Sequence, residues 1–131
     1  MKRYIPQDKS DVNFFVFLEK MNIDEIKDDV NSLLEWLKDM NWPAAALVSK
    51  YLSQYANKID DEIIQVLRSK DEEWKYSILF SLLLHSNIIP NNKIYKQVCR
   101  IYKHPTEAEL EAELNELAED ICKKYKIICL E

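Results

Sequence analysis

The sequence contains no glycine among its 131 residues. Glycine-rich loops that hold phosphates or dinucleotides need positive backbone φ angles or a close backbone approach, so this chain cannot form them. The usual residue at a helix end is missing for the same reason. Asparagine is the next best residue in the left-handed conformation at such an end. We therefore expect helices to stop at four asparagines that separate apolar segments: Asn22, Asn41, Asn57 and Asn87.

Basic residues are too few for a nucleic-acid interface. The net charge is −5, and the only arginines, Arg3, Arg68 and Arg100, are far apart in sequence. A nucleic-acid-binding protein needs a basic stripe that displaces counterions from phosphates. We therefore predict no nucleic-acid binding. A charged protein partner is predicted to be basic, because the chain is acidic.

The three cysteines, Cys99, Cys122 and Cys129, lack the paired spacing of a metal site. Zinc sites normally take four ligands that occur in recognisable pairs. The two histidines, His85 and His104, do not lie beside the cysteines in sequence. We therefore predict no metal and no cofactor, and three separate thiols in a reducing compartment.

Long apolar runs are absent as well. The N-terminal stretch "MKRYIPQDKSD" has no apolar core of the kind found in signal peptides. No apolar run reaches the roughly 18 residues that a membrane span needs. The sequence therefore predicts a cytoplasmic protein that does not enter a membrane.

Side chains for covalent catalysis are not paired in any readable pattern. Neither histidine has a nucleophile at a suitable spacing, and Ser49 and Ser81 lie within helical segments. The G-x-S-x-G turn of many serine hydrolases is impossible in a chain without glycine. We therefore predict no catalytic residues and no enzyme activity.

The chain does contain apolar residues at helical spacing, recurring every three or four positions. Segments with this spacing are 26–37, 44–55, 59–67, 94–102 and 110–121. No convincing stretch alternates with the period of two that a strand requires. The predicted fold class is therefore all-α. Segment 74–84 is apolar on nearly every side, so we expect it at the centre of the domain.

Residues 39–70 align with residues 71–102 at an offset of 32, with eight identities. The identical pairs include Trp42/Trp74, Leu47/Leu79, Ser49/Ser81 and Arg68/Arg100. Two helices per unit at a period just above 30 residues are typical of α-solenoids. The prediction is a single helical-repeat domain over residues 1–131, a short HEAT-like α-α superhelix of about six to seven helices.

Capping helices are expected at both ends of this superhelix, because end repeats cannot bury both of their faces. Segments 10–21 and 24–38 would form the N-terminal pair, and one helix over 106–125 would cap the C-terminus. Thr106 and Glu109 have the spacing of a capping box at the start of that last helix.

Four stretches of the chain are similar to one family. They are "YIPQDKSDV" (4–12), "EWLKDMNWPAA" (35–45), "DEEWKYSILFSLL" (71–83) and "HPTEAELEAE" (104–113). With these stretches the chain resembles the bacterial family called domain of unknown function 5071. The resemblance implies a small all-helical domain with HEAT-like repeats, and it brings no catalytic residues.

The repeated tryptophans, Trp42 and Trp74, have two possible roles. Two stacked indoles could form a platform for a ligand, whereas repeat-equivalent aromatic residues at helical spacing are usually packing residues. We predict a structural role for both, together with Pro43 in the first turn of its helix and the paired Leu47 and Leu79. The acidic clusters 60–62 and 71–73 are interpreted as helix starts rather than catalytic carboxylates.

Two groups of charged residues are candidates for binding a partner. Arg68 and Arg100 lie near the ends of equivalent helices and could anchor a carboxylate or phosphate. Seven acidic residues follow Pro105 before the next lysine, and Glu109, Glu113 and Glu116 are the candidates among them. The alternatives are cations that stabilise helix C-termini and a solvated acidic face.

The leading functional hypothesis is a non-catalytic protein–protein interaction module, present as a monomer or weak dimer. One version is an immunity or antitoxin-like inhibitor of a basic effector, because an acidic surface suits a basic cleft. The alternative is an enzyme or small-ligand binder that uses a groove between the repeats. A pocket formed by Asp71, Trp74 and Arg100, with Trp74 exposed, would favour that alternative.

Overall fold

The computed structural model describes residues 2–130, and over this range it contains helices and connecting segments without any β-strand. The predicted all-α class is therefore confirmed. The α-helices are α1 Phe14–Leu18, α2 Val30–Glu35, α3 Pro43–Leu52, α4 Asp60–Leu67, α5 Glu72–Ile78, α6 Asn92–Lys103, α7 Glu107–Glu111 and α8 Leu114–Tyr125. Within the same range, no helix is both long and apolar enough to cross a bilayer.

Several of these helices continue as other helix types. The 3-10 segments are Ile23–Asp29, Trp36–Lys38 and Ser53–Ile59, and the π-helical segment is Leu79–Leu84. The first of these leads into α2 and the third connects α3 to α4. The π-helical segment directly follows α5. Together the two contain the apolar segment 74–84, which we expected at the centre of the domain.

The second helices of the two repeats start at the offset of 32, whereas the first helices, α3 and α5, start 29 positions apart. α4 begins at Asp60 and α6 begins at Asn92, which are equivalent positions. Pro43 occupies the first turn of α3, as predicted, where its missing N–H costs nothing. Leu79 is fully buried, whereas its equivalent Leu47 is partly buried against the core.

The segment formed by α5 and its π-helical extension lies against α3, α4 and α8. Its residues Ile78, Leu79, Leu82 and Leu83 are buried, which agrees with a central position. One side of the segment faces solvent, because Phe80 keeps an exposed fraction of 39%.

Three of the four asparagines lie between helical segments, as expected, and Asn57 lies inside one, but the left-handed conformation predicted for them is wrong. Among residues 2–130 a positive φ occurs at Glu113 (60°) and Lys126 (55°), and at none of the four asparagines. Asn22 instead starts the next helical segment: its Oδ1 accepts from the N–H of Asp24 at 2.9 Å. The short amide side chain thus satisfies free N–H groups at a helix start, which is the other strong preference of asparagine.

The predicted single helix over 106–125 is also wrong, since it is broken into α7 and α8 at the left-handed Glu113. The break changes which side chains point inward. On α7 the buried residue is Glu109, and Leu110 is 50% exposed. After the break, Leu114 and Ile121 of α8 are fully buried. A continuous helix could not bury both Glu109 and the apolar stripe of α8 in these orientations.

Candidate functional site

Three helices bring a buried ionic network together at the C-terminal end of α6. Glu109 of α7 is fully buried, and its two carboxylate oxygens accept hydrogen bonds from Nη1 and Nη2 of Arg100, each at 2.9 Å. Nζ of Lys75, on α5, donates to the same carboxylate at 2.9 Å. Lys75 is itself buried, and its second partner is Glu72 at 3.2 Å. Two cations and two carboxylates therefore neutralise each other.

The remaining donors of Arg100 also have partners. Its Nη2 donates to the backbone carbonyl of Leu67 at 3.2 Å, and its Nε donates to Oε1 of Gln97 at 3.3 Å. Within the described part of the chain, no buried side-chain nitrogen or oxygen lacks a hydrogen-bond partner. Buried charges are costly unless they are paired and fully hydrogen-bonded, and this network meets both conditions.

Glu109 also takes part in the cap at the N-terminus of α7, its own helix. The hydroxyl of Thr106 accepts from the N–H of Glu109 at 3.1 Å, and the N–H of Thr106 donates to Oε1 of Glu109 at 2.8 Å. This arrangement is the capping box that the sequence predicted. The carboxylate therefore joins the start of α7 to the side chains of α5 and α6.

The electrostatic environment of Glu109 favours its charged form. Burial alone would raise the pKa of Glu109, but hydrogen bonds from Arg100, the Thr106 N–H and Lys75 lower it to about 2. At neutral pH this carboxylate is therefore ionised, and it holds Arg100 and Lys75 together through charge-assisted hydrogen bonds.

A groove of 530 Å³ opens beside this network, and we call it the arginine groove. Its lining comprises Arg68, Ser69, Lys70, Glu72, Lys75, Gln97, Arg100, Thr106, Ala108 and Glu109. Four of these residues are cationic and two are carboxylates, which leaves an excess of two positive charges. The repeat-equivalent arginines thus line one groove. Arg100 is fixed by the network, whereas Arg68 is exposed.

The acidic candidates separate into two groups. Glu109 is wrong as a partner-binding residue, because its carboxylate is fully buried and fully occupied by Arg100, Lys75 and Thr106. Glu113 and Glu116 are exposed at the break between α7 and α8. They remain available to a partner, but they do not line the arginine groove.

A family model described as a domain of unknown function, DUF5071, matches residues 4–122. This chain belongs to the DUF5071 family. The four stretches that carry the resemblance all lie within the matched range. No curated protein matches the chain. The family description states no activity, so the side chains have to carry any functional argument.

The two tryptophans of this DUF5071 chain have different environments. The indole N–H of Trp74 donates to the carbonyl of Leu34 at 2.9 Å, and the ring packs against the core beneath Nζ of Lys38. Trp42 is 37% exposed, and its N–H donates to the carboxylate of Asp39 at 3.0 Å. Trp74 therefore has the structural environment that we predicted, whereas Trp42 lies at the surface.

The pocket expected for the enzyme or small-ligand alternative is not formed by the proposed residues. Asp71 accepts from the N–H of Trp74 at 3.0 Å and so caps α5, as its place in the acidic cluster predicted. Trp74 points toward Leu34, away from the arginine groove. Arg100 lines the groove without Asp71 or Trp74. The absence of enzyme activity itself stays a prediction.

The expectation of three separate thiols is wrong. Cys99 of α6 and Cys129, which follows α8, form a disulfide, and Cys122 lies with its sulfur 3.6 Å from that of Cys129. Burial raises the pKa of the Cys122 thiol, the carboxylate of Glu119 adds to this, and Lys103 opposes it. This arrangement could not be predicted from spacing, because Cys99 and Cys122 lie 30 and 7 residues before Cys129 and on separate segments.

Lys75 is the network residue that sequence reasoning missed. A lysine in an apolar helix is usually read as a solvated side chain, since its stem can extend to water. The available signal was its place in segment 74–84, which is apolar on nearly every side. A lysine within such a segment needs a carboxylate partner if it is buried.

Proposed function

We propose that this chain is a non-catalytic protein–protein interaction module and that the arginine groove receives an acidic segment of its partner. The observation that carries the proposal is the different state of the two repeat-equivalent arginines. Arg100 is held by Glu109, and its side chain keeps 32% of its surface exposed. Arg68 lines the same groove and forms no ion pair with the described residues.

The charge of the groove supports an acidic ligand. Its excess of two positive charges contrasts with the net charge of −5 for the whole chain. Arginine suits this role because its planar guanidinium binds carboxylates through two parallel hydrogen bonds. Arg68 is the donor available to such a ligand, because Arg100 already donates to Glu109, Gln97 and the Leu67 carbonyl.

The finer features of the protein belong to the same proposal. We propose a HEAT-like stack, which is supported by equivalent helix starts at Asp60 and Asn92. Bacterial origin rests on the resemblance to the family. A cytoplasmic location rests on composition, and the Cys99–Cys129 disulfide argues against it, because such bonds persist mainly in oxidising compartments.

The test uses a fluorescently labelled oligoglutamate peptide as the probe. We expect the peptide to bind the unmodified protein more weakly as salt is added, and Arg68→Ala to lower its affinity about tenfold. Arg3→Ala is the matched control, since Arg3 is an exposed arginine that does not line the groove. Equal affinity for the unmodified protein and Arg68→Ala would overturn the proposal, and so would an equal loss in both arginine variants.

A second candidate is the inhibitor of a basic effector, and the exposed acidic surface of α7 and α8 favours it. The exposed acidic residues there are Glu107, Glu111, Glu113, Glu116 and Asp120. A basic partner would depend on this surface, not on the arginine groove. In affinity purification from the native host, loss of a basic partner with the double variant Glu113→Gln/Glu116→Gln, but not with Arg68→Ala, would favour this candidate.

A further inference from the structure

The three cysteines converge although they come from different parts of the fold. Cys99 lies on α6, Cys122 lies near the end of α8, and Cys129 lies in the segment that follows α8. Their three sulfur atoms are all within 4.8 Å of one another. The disulfide uses Cys99 and Cys129 and leaves the buried Cys122 in contact with it. A structural disulfide therefore explains two of the three side chains.

We propose that the reduced chain binds one soft monovalent metal ion of the Cu(I) type through the sulfurs of Cys99, Cys122 and Cys129. Formation of this site requires reduction of the disulfide by a thiol reductant. Two electrons break the Cys99–Cys129 bond, the reductant forms its own disulfide, and its two protons give two protein thiols. The thiols then release protons to solvent as their sulfurs bind the ion.

The spacing of the sulfurs suits three-coordinate binding. Metal–sulfur bonds of about 2.3 Å place three sulfurs in a plane about 4 Å apart. The Cys122 and Cys129 sulfurs are 3.6 Å apart, and the whole set lies within 4.8 Å. The Cys122–Cys129 spacing is therefore already close to that of a trigonal site, whereas the sulfurs of Cys99 and Cys129 have to move apart once their bond is reduced.

The choice of ion follows from the ligand set. Thiolates select soft ions such as Cu(I), whereas structural zinc sites are almost always four-coordinate. Among residues 2–130, no histidine, aspartate or glutamate joins the three cysteines as a fourth ligand. A three-sulfur set without a fourth ligand therefore favours Cu(I) over zinc.

The surrounding fold gives the site one adjustable ligand. Cys99 and Cys122 lie on long helices, each 12 residues in length, which fix their sulfurs. Cys129 lies beyond the end of α8, in a segment held by the hydrogen bond from the Ile127 N–H to the Cys122 carbonyl at 2.8 Å. Cys129 can thus move its sulfur between the disulfide and the metal without disturbing a helix.

Anaerobic titration of the reduced full chain with Cu(I), in competition with a chromophoric Cu(I) chelator, tests the proposal. We expect one ion per chain, with three sulfur neighbours in X-ray absorption spectra. Removal of a residue that hydrogen-bonds to a metal ligand typically lowers the affinity for the metal about 10–100-fold. Removal of a sulfur ligand itself should therefore lower the affinity for Cu(I) by at least about 100-fold. The unreduced chain should bind at least as weakly, because two of its sulfurs are joined.

Cys99→Ser, Cys122→Ala and Cys129→Ser test the three ligands one at a time. The Cys122→Ala variant keeps its buried position apolar, and circular dichroism checks that each variant is folded. Met40→Leu is the control, since it removes a sulfur elsewhere and should leave the affinity unchanged. Two sulfur neighbours in place of three, or an affinity that Cys122→Ala does not change, would overturn the proposal.

Discussion

The repeat units 39–70 and 71–102 carry a tryptophan and an arginine at equivalent positions, yet only in the second unit do both form hydrogen bonds to residues outside their own unit. Arg100 pairs with Glu109 and reaches back to the carbonyl of Leu67, at the end of the preceding unit's second helix. Arg68 stays exposed at the groove. Repetition in sequence therefore sets the position of a side chain, and the neighbouring elements set its role.

The neighbour responsible for the difference is the C-terminal cap. α7 supplies Glu109 to the second unit, and α8 packs against α6 and the π-helical segment. Trp74 likewise finds a carbonyl acceptor on Leu34, whereas the indole of Trp42 binds the nearby Asp39 at the surface. The second unit thus lies between other elements, and its charged and aromatic side chains are drawn into contacts.

The largest effect is expected from a change to Glu109, the buried partner of Arg100 in the second unit. We expect Glu109→Gln to lower the free energy of unfolding by about 3–5 kcal/mol at pH 7, because Lys75 and Arg100 lose their common carboxylate partner. Urea denaturation measures the loss. Glu113→Gln, at an exposed acidic position outside the network, should change stability by less than about 0.5 kcal/mol.

The loss of stability caused by Glu109→Gln is expected to depend on pH. The pKa of Glu109 is lowered from 4.5 to about 2, so its contribution is present above the ordinary pKa and is lost as pH falls through the folded value. The stability gap between the unmodified protein and Glu109→Gln should therefore narrow as pH falls from about 5 toward 2. A gap that stays constant over this range would contradict the assigned charge state.

A smaller effect is expected for the arginines. Arg100→Ala should lower the free energy of unfolding by about 2 kcal/mol, because the buried Glu109 and the Leu67 carbonyl lose donors. Arg68→Ala should change it by less than about 0.5 kcal/mol, since Arg68 is exposed. Equal effects in thermal unfolding would show that both arginines have the same structural role.

The smallest effects on the free energy of unfolding are expected for the two tryptophans. Trp74→Phe removes the hydrogen bond to the buried Leu34 carbonyl and should cost about 1 kcal/mol. Trp42→Phe removes a bond to the exposed Asp39 and should cost less than about 0.5 kcal/mol. Chemical denaturation of the two variants side by side provides the measurement. A larger loss for Trp42→Phe would reverse the comparison.

The local parts of the fold could be predicted from the sequence. Apolar periodicity gave the helices, and side chains close in sequence gave the caps at Asp71 and Thr106. Predictions that depended on distant residues were less successful. Lys75 and Glu109 are 34 positions apart, and their pairing depends on the break at Glu113, which local preferences do not favour in a non-glycine residue.

The candidate site shows the same division. The likeness of Arg68 and Arg100 was visible in the repeat, but their shared groove and their different environments were not. The cysteine cluster could not be predicted either, because Cys129 reaches α6 only through the course of the chain after α8. Long-range geometry, rather than residue type, decides both features.

The buried pair of Lys75 and Glu109 also limits how this sequence can change over time. Replacing either residue by a neutral one would leave the network of Lys75, Arg100, Glu72 and Glu109 with one unbalanced charge. Neutral or charge-reversed versions of the pair therefore require two substitutions, and the intermediate with one substitution is the least stable. Positions 75 and 109 are thus expected to vary together among related chains, as a record of contact between α5 and α7.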